Sequence, residues 1–211
     1  MDDPFPAYDV LAKRDTPSWN EQTREVVDRR LALAIADSVL SATQLATLRA
    51  LEARMCPHPP GRPATTTLAM VMHKIAKDQG DGHRPECLPR TAECWHRGLD
   101  AIEAEARLRT SRGFAQLDAD QADQILRAVE SGEVRAELWQ DLPADLFWKW
   151  RLLPDLVSAH WAQPSLWSAM GFGGPASPRG YVRLSENRRD PWEAVEERRR
   201  PLRGLPRHHE R

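Results

Sequence analysis

Residues 142–161 read L-P-A-D-L-F-W-K-W-R-L-L-P-D-L-V-S-A-H-W. Pro143 suits a first helical position, where its missing N–H costs nothing. Leu146, Trp150, Leu153, Val157 and Trp161 then recur at the spacing of one helical face. The stretch predicts an amphipathic helix with that face inward. Pro154 is expected to kink or split it, because an interior proline removes a backbone donor and crowds the preceding turn. Trp148 and Trp150 fall about 200° apart around such a helix, so they cannot share a side. One belongs in the core, and the other faces outward or into a partner.

Downstream, Trp167–Tyr181 reads W-S-A-M-G-F-G-G-P-A-S-P-R-G-Y, with glycines at 171, 173, 174 and 180 and prolines at 175 and 178. Glycine loses too much backbone entropy in a helix, and proline lacks the donor, so this is a loop. Phe172 and Tyr181 are large side chains within it, and such side chains dock into the domain or into a partner.

Upstream, the pattern is helical. Residues 1–17 carry Pro4, Pro6 and Pro17 and read as an extended arm. Ser18 with Glu21 has capping-box spacing, and Asn20 is a second candidate cap; a helix is expected from Asn20 to Leu40 with Val27, Leu31 and Ile35 inward. Ser41 with Gln44 opens a helix to Met55, with Leu45, Leu48 and Met55 inward, and C-P-H-P-P-G-R-P at 56–63 stops it. Thr66 or Thr67 caps a helix with Leu68, Val71, Met72 and Ile75 in one stripe. Thr91 caps another that runs to Leu108, with Trp95, Leu99, Ile102 and Ala106 in register. Asp118, three residues before Gln121, starts the next, with Ala122, Ile125, Leu126 and Val129 inward, and a short segment follows at Val134–Trp139. Sustained period-2 alternation is missing, which argues against strands. The expected fold is all-α: an irregular bundle of six or seven helices with extended N- and C-terminal arms. The division is 1–17 arm, 18–184 helical domain ending in the Gly/Pro/aromatic loop, and 185–211 basic tail.

Composition narrows the function classes. Of 211 residues, 41% are hydrophobic and 29% charged, which suits a domain with a true core. A net charge of -1 points to neither nucleic acid nor membrane as the main partner. No apolar run approaches the ~20 residues needed to span a bilayer. Three cysteines make a complete disulfide framework an odd fit, so reduced thiols are expected. Eight tryptophans are many for this length, and tryptophan is enriched at interfaces. Arg29–Arg30 followed by L-A-L-A-I-A has the look of a twin-arginine export signal. The run is short, Asp37 interrupts it, and it lies inside the chain, so it reads as part of a helix.

Searches for chemistry end without a site. His83, Cys87, Cys94 and His96 cluster in sequence, as do Cys56 and His58. Zinc wants paired short spacings, and Cys87 and Cys94 are seven apart, so an independent metalloenzyme is the weaker alternative. G-F-G-G-P lacks the G-x-G-x-x-G frame and the helix that a dinucleotide fingerprint needs. No G-x-S-x-G occurs, and His160 beside Trp161 reads as a packing residue rather than a base. Arg198, Arg199, Arg200, Arg203, Arg207 and Arg211 make residues 198–211 a basic tail able to bind phosphates, which is the basis of a nucleic-acid-binding alternative. Acidic Glu193, Glu196 and Glu197 and the lack of interleaved aromatics favour a solvated or partner-wrapping tail.

The loop W-x-x-M-G-F-G-G-P-A-S-P-R-G-Y, preceded by an aromatic-rich helix, resembles the gluconate 2-dehydrogenase subunit 3 family. S-A-T-Q-L-A-T-L-R-A-L-E-A-R-M-C-P and G-F-A-Q-L-D-A-D-Q-A-D-Q-I-L-R-A-V-E support it, and the resemblance spans Leu40 to Leu184. It implies a non-catalytic small subunit that binds and stabilises, or helps mature, an FAD-dependent sugar or alcohol dehydrogenase of the glucose–methanol–choline type. FAD would sit in the partner, and this chain would hold no catalytic, cofactor or metal residues. The expected partner-binding residues are Trp148, Trp150, Trp161, Trp167, Gly171, Phe172, Gly173, Gly174, Pro175, Pro178, Arg179, Gly180 and Tyr181. Many family members start with a twin-arginine signal, and this chain starts M-D-D-P-F-P. The expected location is therefore cytoplasmic, or periplasmic only by export with a signal-bearing partner. Neither nucleic-acid binding nor direct membrane insertion is expected.

Overall fold

The computed structural model describes residues 3–35, 39–177, 180, 189 and 193–195. Among them the chain is helical, with a single isolated bridge, Trp19 to Ser177, in place of any sheet. The helices are α1 Glu21–Leu31, α2 Ala42–Met55, α3 Thr67–Ala76, α4 Thr91–Thr110, α5 Ala119–Ser131, α6 Ala136–Trp139, α7 Ala144–Phe147, α8 Leu153–Trp161 and α9 Pro164–Ala169. Short 3-10 turns lie at Val10–Lys13 and Phe114–Gln116.

The starts follow the predicted chemistry. Asn20 caps α1 by accepting from the Thr23 N–H. Ser41 and Gln44 form a reciprocal capping box on α2, and Asp118 caps α5 through the Gln121 N–H. α4 begins one residue before expectation, with Arg90 in the cap position and no side-chain cap of its own. The Ala92 N–H donates instead to Asp78 Oδ1, 2.9 Å away, from the preceding loop.

Three expectations fail. α1 ends at Leu31 rather than Leu40, and Leu31 and Ile35 are exposed; only Val27 is buried. Helices in proteins are held mainly by packing an apolar face, and with one buried residue α1 has little to carry it further. α2 buries Gln44, Thr47, Leu48 and Leu51, while Leu45 and Met55 are only half-buried. The face of 142–161 is also reversed. Phe147, Arg151, Leu152, Asp155, Leu156 and Ala159 point inward, while Leu153 and Val157 are 39% and 38% exposed.

Pro154 is the second residue of α8, and the rod is divided just before it rather than at it. A π turn, Trp148–Leu152, joins α7 to α8, and the Leu153 N–H donates to the Trp148 carbonyl five residues back. The carbonyl that a proline four residues on would leave without a donor is that of Trp150. It accepts from Arg151 Nη1 at 2.8 Å. The extra residue in the turn also rotates the faces on either side, which moves Leu152 and Leu156 into the core.

The core is built around α4. α2, α3, α5 and α6 pack on it, and α3 also packs on α8. Trp95 meets the Phe147 ring edge-on, centroids 5.7 Å apart, and Trp139 covers the same ring from 6.0 Å. Gly98 lets this ring approach the α4 backbone: a Cβ there would lie 2.3 Å from Phe147 Cζ. Gly98→Ala should therefore cost about 2 kcal/mol, because overpacking a rigid ring outweighs the gain in helix propensity. A drop in the urea midpoint at unchanged slope would show it, and an unchanged or raised midpoint would mean that the ring relocates freely.

Candidate functional site

The glycine loop lies on the chain's own N-terminal arm. Val10, Trp19, Val27 and Trp167 form a second apolar cluster, separate from the main core, with Tyr8 and Leu11 against it. The arm is pinned by Arg62, whose guanidinium pairs with Asp3 (Nε to Oδ2, 2.6 Å) and donates to the Tyr8 and Phe5 carbonyls at 2.7 and 2.6 Å. That pairing holds the Asp3 carboxyl below its usual range. The Val10 N–H donates to Ser168 Oγ at 3.0 Å, and Lys13 Nζ donates to the Gly173 carbonyl.

Two glycines are required by this seating. Gly171 has φ +68°, and a Cβ on it would sit 2.5 Å from the Phe5 ring. Gly174 has φ +65°, and its Cβ would sit 2.8 Å from Val10 Cγ2. Positive φ and close approach both select glycine.

The expected partner residues fall into three groups. Trp167 is 6% exposed and Gly174 is buried, both in contact with the arm. For these two the structure shows intramolecular packing, with the arm as the surface they meet. Gly171, Gly173 and Pro175 are half-buried beside it. Phe172 is 42% exposed, its ring edge-on to Trp167 at 6.0 Å, and Gly180 is exposed. Pro178, Arg179 and Tyr181 lie outside the described residues, as does the basic stretch 198–211. Trp148 and Trp150 do diverge, Trp148 towards Arg54, Met55 and Leu126, and Trp150 towards His83 at 5.5 Å. Neither is a core residue, however: both are half-buried, as is Trp161.

A strip of apolar surface results. Leu153 and Val157 stand out from α8, between half-buried Trp150 and Trp161. The Trp161 carbonyl accepts from Trp167 Nε1 at 2.6 Å, which ties the end of α8 to the loop carrying Met170 (40% exposed) and Phe172. Monomeric surfaces scatter single apolar residues, whereas a run of them rimmed by polar groups marks a binding face. Lys149, Ser158 and the Arg84 loop supply polar neighbours in sequence and space.

Beneath this strip lies a charged network that sequence patterning missed. Asp155, 3% exposed, accepts from Trp95 Nε1 at 2.8 Å and from Lys74 Nζ at 2.6 Å. Lys74 also reaches Asp81 at 2.6 Å, and Arg151 reaches Asp81 at 3.1 Å. Burial pushes the Asp155 carboxyl up, against the pull of those two hydrogen bonds. The i, i+4 spacing of Arg151 and Asp155 was the one available sequence signal.

The candidate metal ligands do not converge. Cys56 and Cys94 are buried thiols, pushed up to about 12 mainly by burial, and Cys87 is exposed. The His83 ring is tilted against Trp150, centroids 5.5 Å apart, and His96 Nδ1 lies 3.2 Å from Gln44 Oε1. Among the described residues no group of three or more His, Cys, Asp or Glu is placed to hold a metal ion.

His160 sits between the Pro57 carbonyl, 3.0 Å from Nε2, and the Thr67 hydroxyl, 3.4 Å from Nδ1. Burial lowers its pKa below the ordinary 6.5. On acidification the unfolded chain takes up this proton first, so the contribution is whole above that value. It is lost as pH falls towards the folded pKa, at no more than about 1.4 kcal/mol per pH unit. Urea midpoints of wild type should fall between about pH 7.5 and about pH 5.5 more steeply than those of His160→Gln. Equal slopes would assign the effect elsewhere.

The family model of gluconate 2-dehydrogenase subunit 3 matches residues 42–174. This span runs from the first residue of α2 to the buried glycine of the loop, and leaves the N-terminal arm and α1 outside. No curated protein and no solved structure matches the chain.

Proposed function

The chain belongs to the gluconate 2-dehydrogenase subunit 3 family, the accessory subunits of a dehydrogenase complex, and from that premise we propose that it is the non-catalytic small subunit of an FAD-dependent dehydrogenase of the glucose–methanol–choline type. In this reading the partner holds FAD and oxidises a sugar or other alcohol. This chain binds the partner and stabilises it or helps it mature. The observation that carries the proposal is the apolar strip Trp150–Leu153–Val157–Trp161, with Met170 and Phe172 exposed on the loop that Trp167 ties to its end. Large aromatics held at half burial supply contact area at little entropy cost, as interface anchors do. No helix among the described residues is long and apolar enough to cross a membrane.

The test is co-expression of the dehydrogenase subunit with and without this chain. The reading predicts that the flavoprotein's soluble yield and bound FAD per polypeptide rise with the chain present, and that the two co-elute. Equal FAD content and turnover without it, and no shared peak, would contradict the proposal.

A further inference from the structure

A second concave site lies at the start of α4, in a cleft of about 300 Å³ beside Trp150. Its floor is the loop 78–84, in which Gly80 and Gly82 leave open space. Its walls carry three guanidinium groups, Arg84, Arg90 and Arg151, and the N-terminal residue of α4, Thr91.

The carboxylates in the cleft are already engaged. Asp78 pairs with Arg90 and accepts the Ala92 N–H. Asp81 is shared between Lys74 and Arg151. Arg84 donates only to the Leu88 carbonyl, and no carboxylate is paired with it among the described residues. Arg151 is 1% exposed, forms the inner wall, and has a buried Nε with no hydrogen-bond partner among the described residues. A buried guanidinium donor left unmet is costly. Planar guanidinium groups match the oxygens of carboxylate and phosphate, and the start of a 20-residue helix favours negative charge.

From the surplus guanidinium, the unmet inner donor and the open glycine loop together, we infer that this cleft binds a small oxyanion, a phosphate or a carboxylate, between Arg84 and Arg151. The site borders the partner strip at Trp150 but needs no partner to fill.

The test is calorimetric titration of the full chain with inorganic phosphate in one arm and citrate in the other, at fixed ionic strength in chloride. The Nε–H resonance of Arg151 is followed by NMR in parallel. Saturable binding that moves this resonance is expected in at least one arm, and the arm that saturates identifies the ligand chemistry. Arg84→Gln, at an exposed position, should weaken binding at least about tenfold while Arg112→Gln, at the far end of α4, leaves it unchanged. Arg84→Ala is a second variant at the same position should Arg84→Gln fold poorly. Overturning results are no saturation in either arm, an equal resonance shift with chloride alone, or wild-type affinity in a folded Arg84 variant. Because no dehydrogenase is present, failure here leaves the accessory-subunit reading untouched.

Discussion

Asp155→Ala should destabilise the chain by at least about 3 kcal/mol, because it removes one partner of a buried ion pair and leaves the other partner's charge behind. Asp155 is 3% exposed and joins three elements: its own α8, Lys74 on α3 and Trp95 on α4. Without the carboxylate the indole N–H of Trp95, fully buried, loses its acceptor, and Lys74 keeps only Asp81 at the rim. Asp155→Asn should cost less, since an amide oxygen can still accept from the indole. Urea denaturation of the two variants beside wild type measures both. Equal and small losses, under about 1 kcal/mol, would mean that water replaces the carboxylate and that the network does not hold α3, α4 and α8 together.

Trp167→Ala should cost about 3–5 kcal/mol, the usual range for emptying a buried aromatic site, but the loss should be local. Trp167 belongs to the small cluster with Val10, Trp19 and Val27, apart from the main core. Its removal takes away the floor on which the arm and the glycine loop both rest. Stability differs between parts of one molecule, so the arm should open while the core stays folded. Trypsin should then cut faster at Arg14 and Arg24, with the far-ultraviolet circular dichroism nearly unchanged below the midpoint. Unaltered cleavage together with a single global loss of stability would show instead that arm and core unfold as one unit.

The sequence made the α4-centred bundle readable because its signals agree. The stripe Leu68, Val71, Met72 and Ile75 is buried throughout, as are Trp95, Leu99, Ile102 and Ala106. Ser41, Asn20 and Asp118 cap where their side chains promise to. It was unreadable at residues 142–161 because that rod is apolar on nearly every side, so periodicity offers two faces of similar strength. Arg151 and Asp155 would ordinarily mark the outer face. Here Lys74, Asp81 and Trp95 pair with them, and no local pattern announces partners from 60 to 81 residues away. The same long reach hid the arm: Phe5 and Val10 fit Gly171 and Gly174 through contacts more than 150 residues apart. The contacts of the glycine loop among the described residues are with the chain's own N-terminal arm and the Trp167 cluster.

That reversal sharpens the functional reading. The residues that periodicity placed in the core, Leu153 and Val157, are the ones on the outer surface, and changing them leaves the packed interior alone. The central claim is that this strip holds the dehydrogenase subunit. The most direct measurement is the affinity of that subunit for the double variant Leu153→Asp, Val157→Asp, by calorimetry or co-elution, beside wild type of matched stability. Burying two carboxylates in an apolar interface should weaken binding at least about a hundredfold, with the free chain's unfolding midpoint changed little. Wild-type affinity in this folded variant would contradict the claim and place the interface elsewhere.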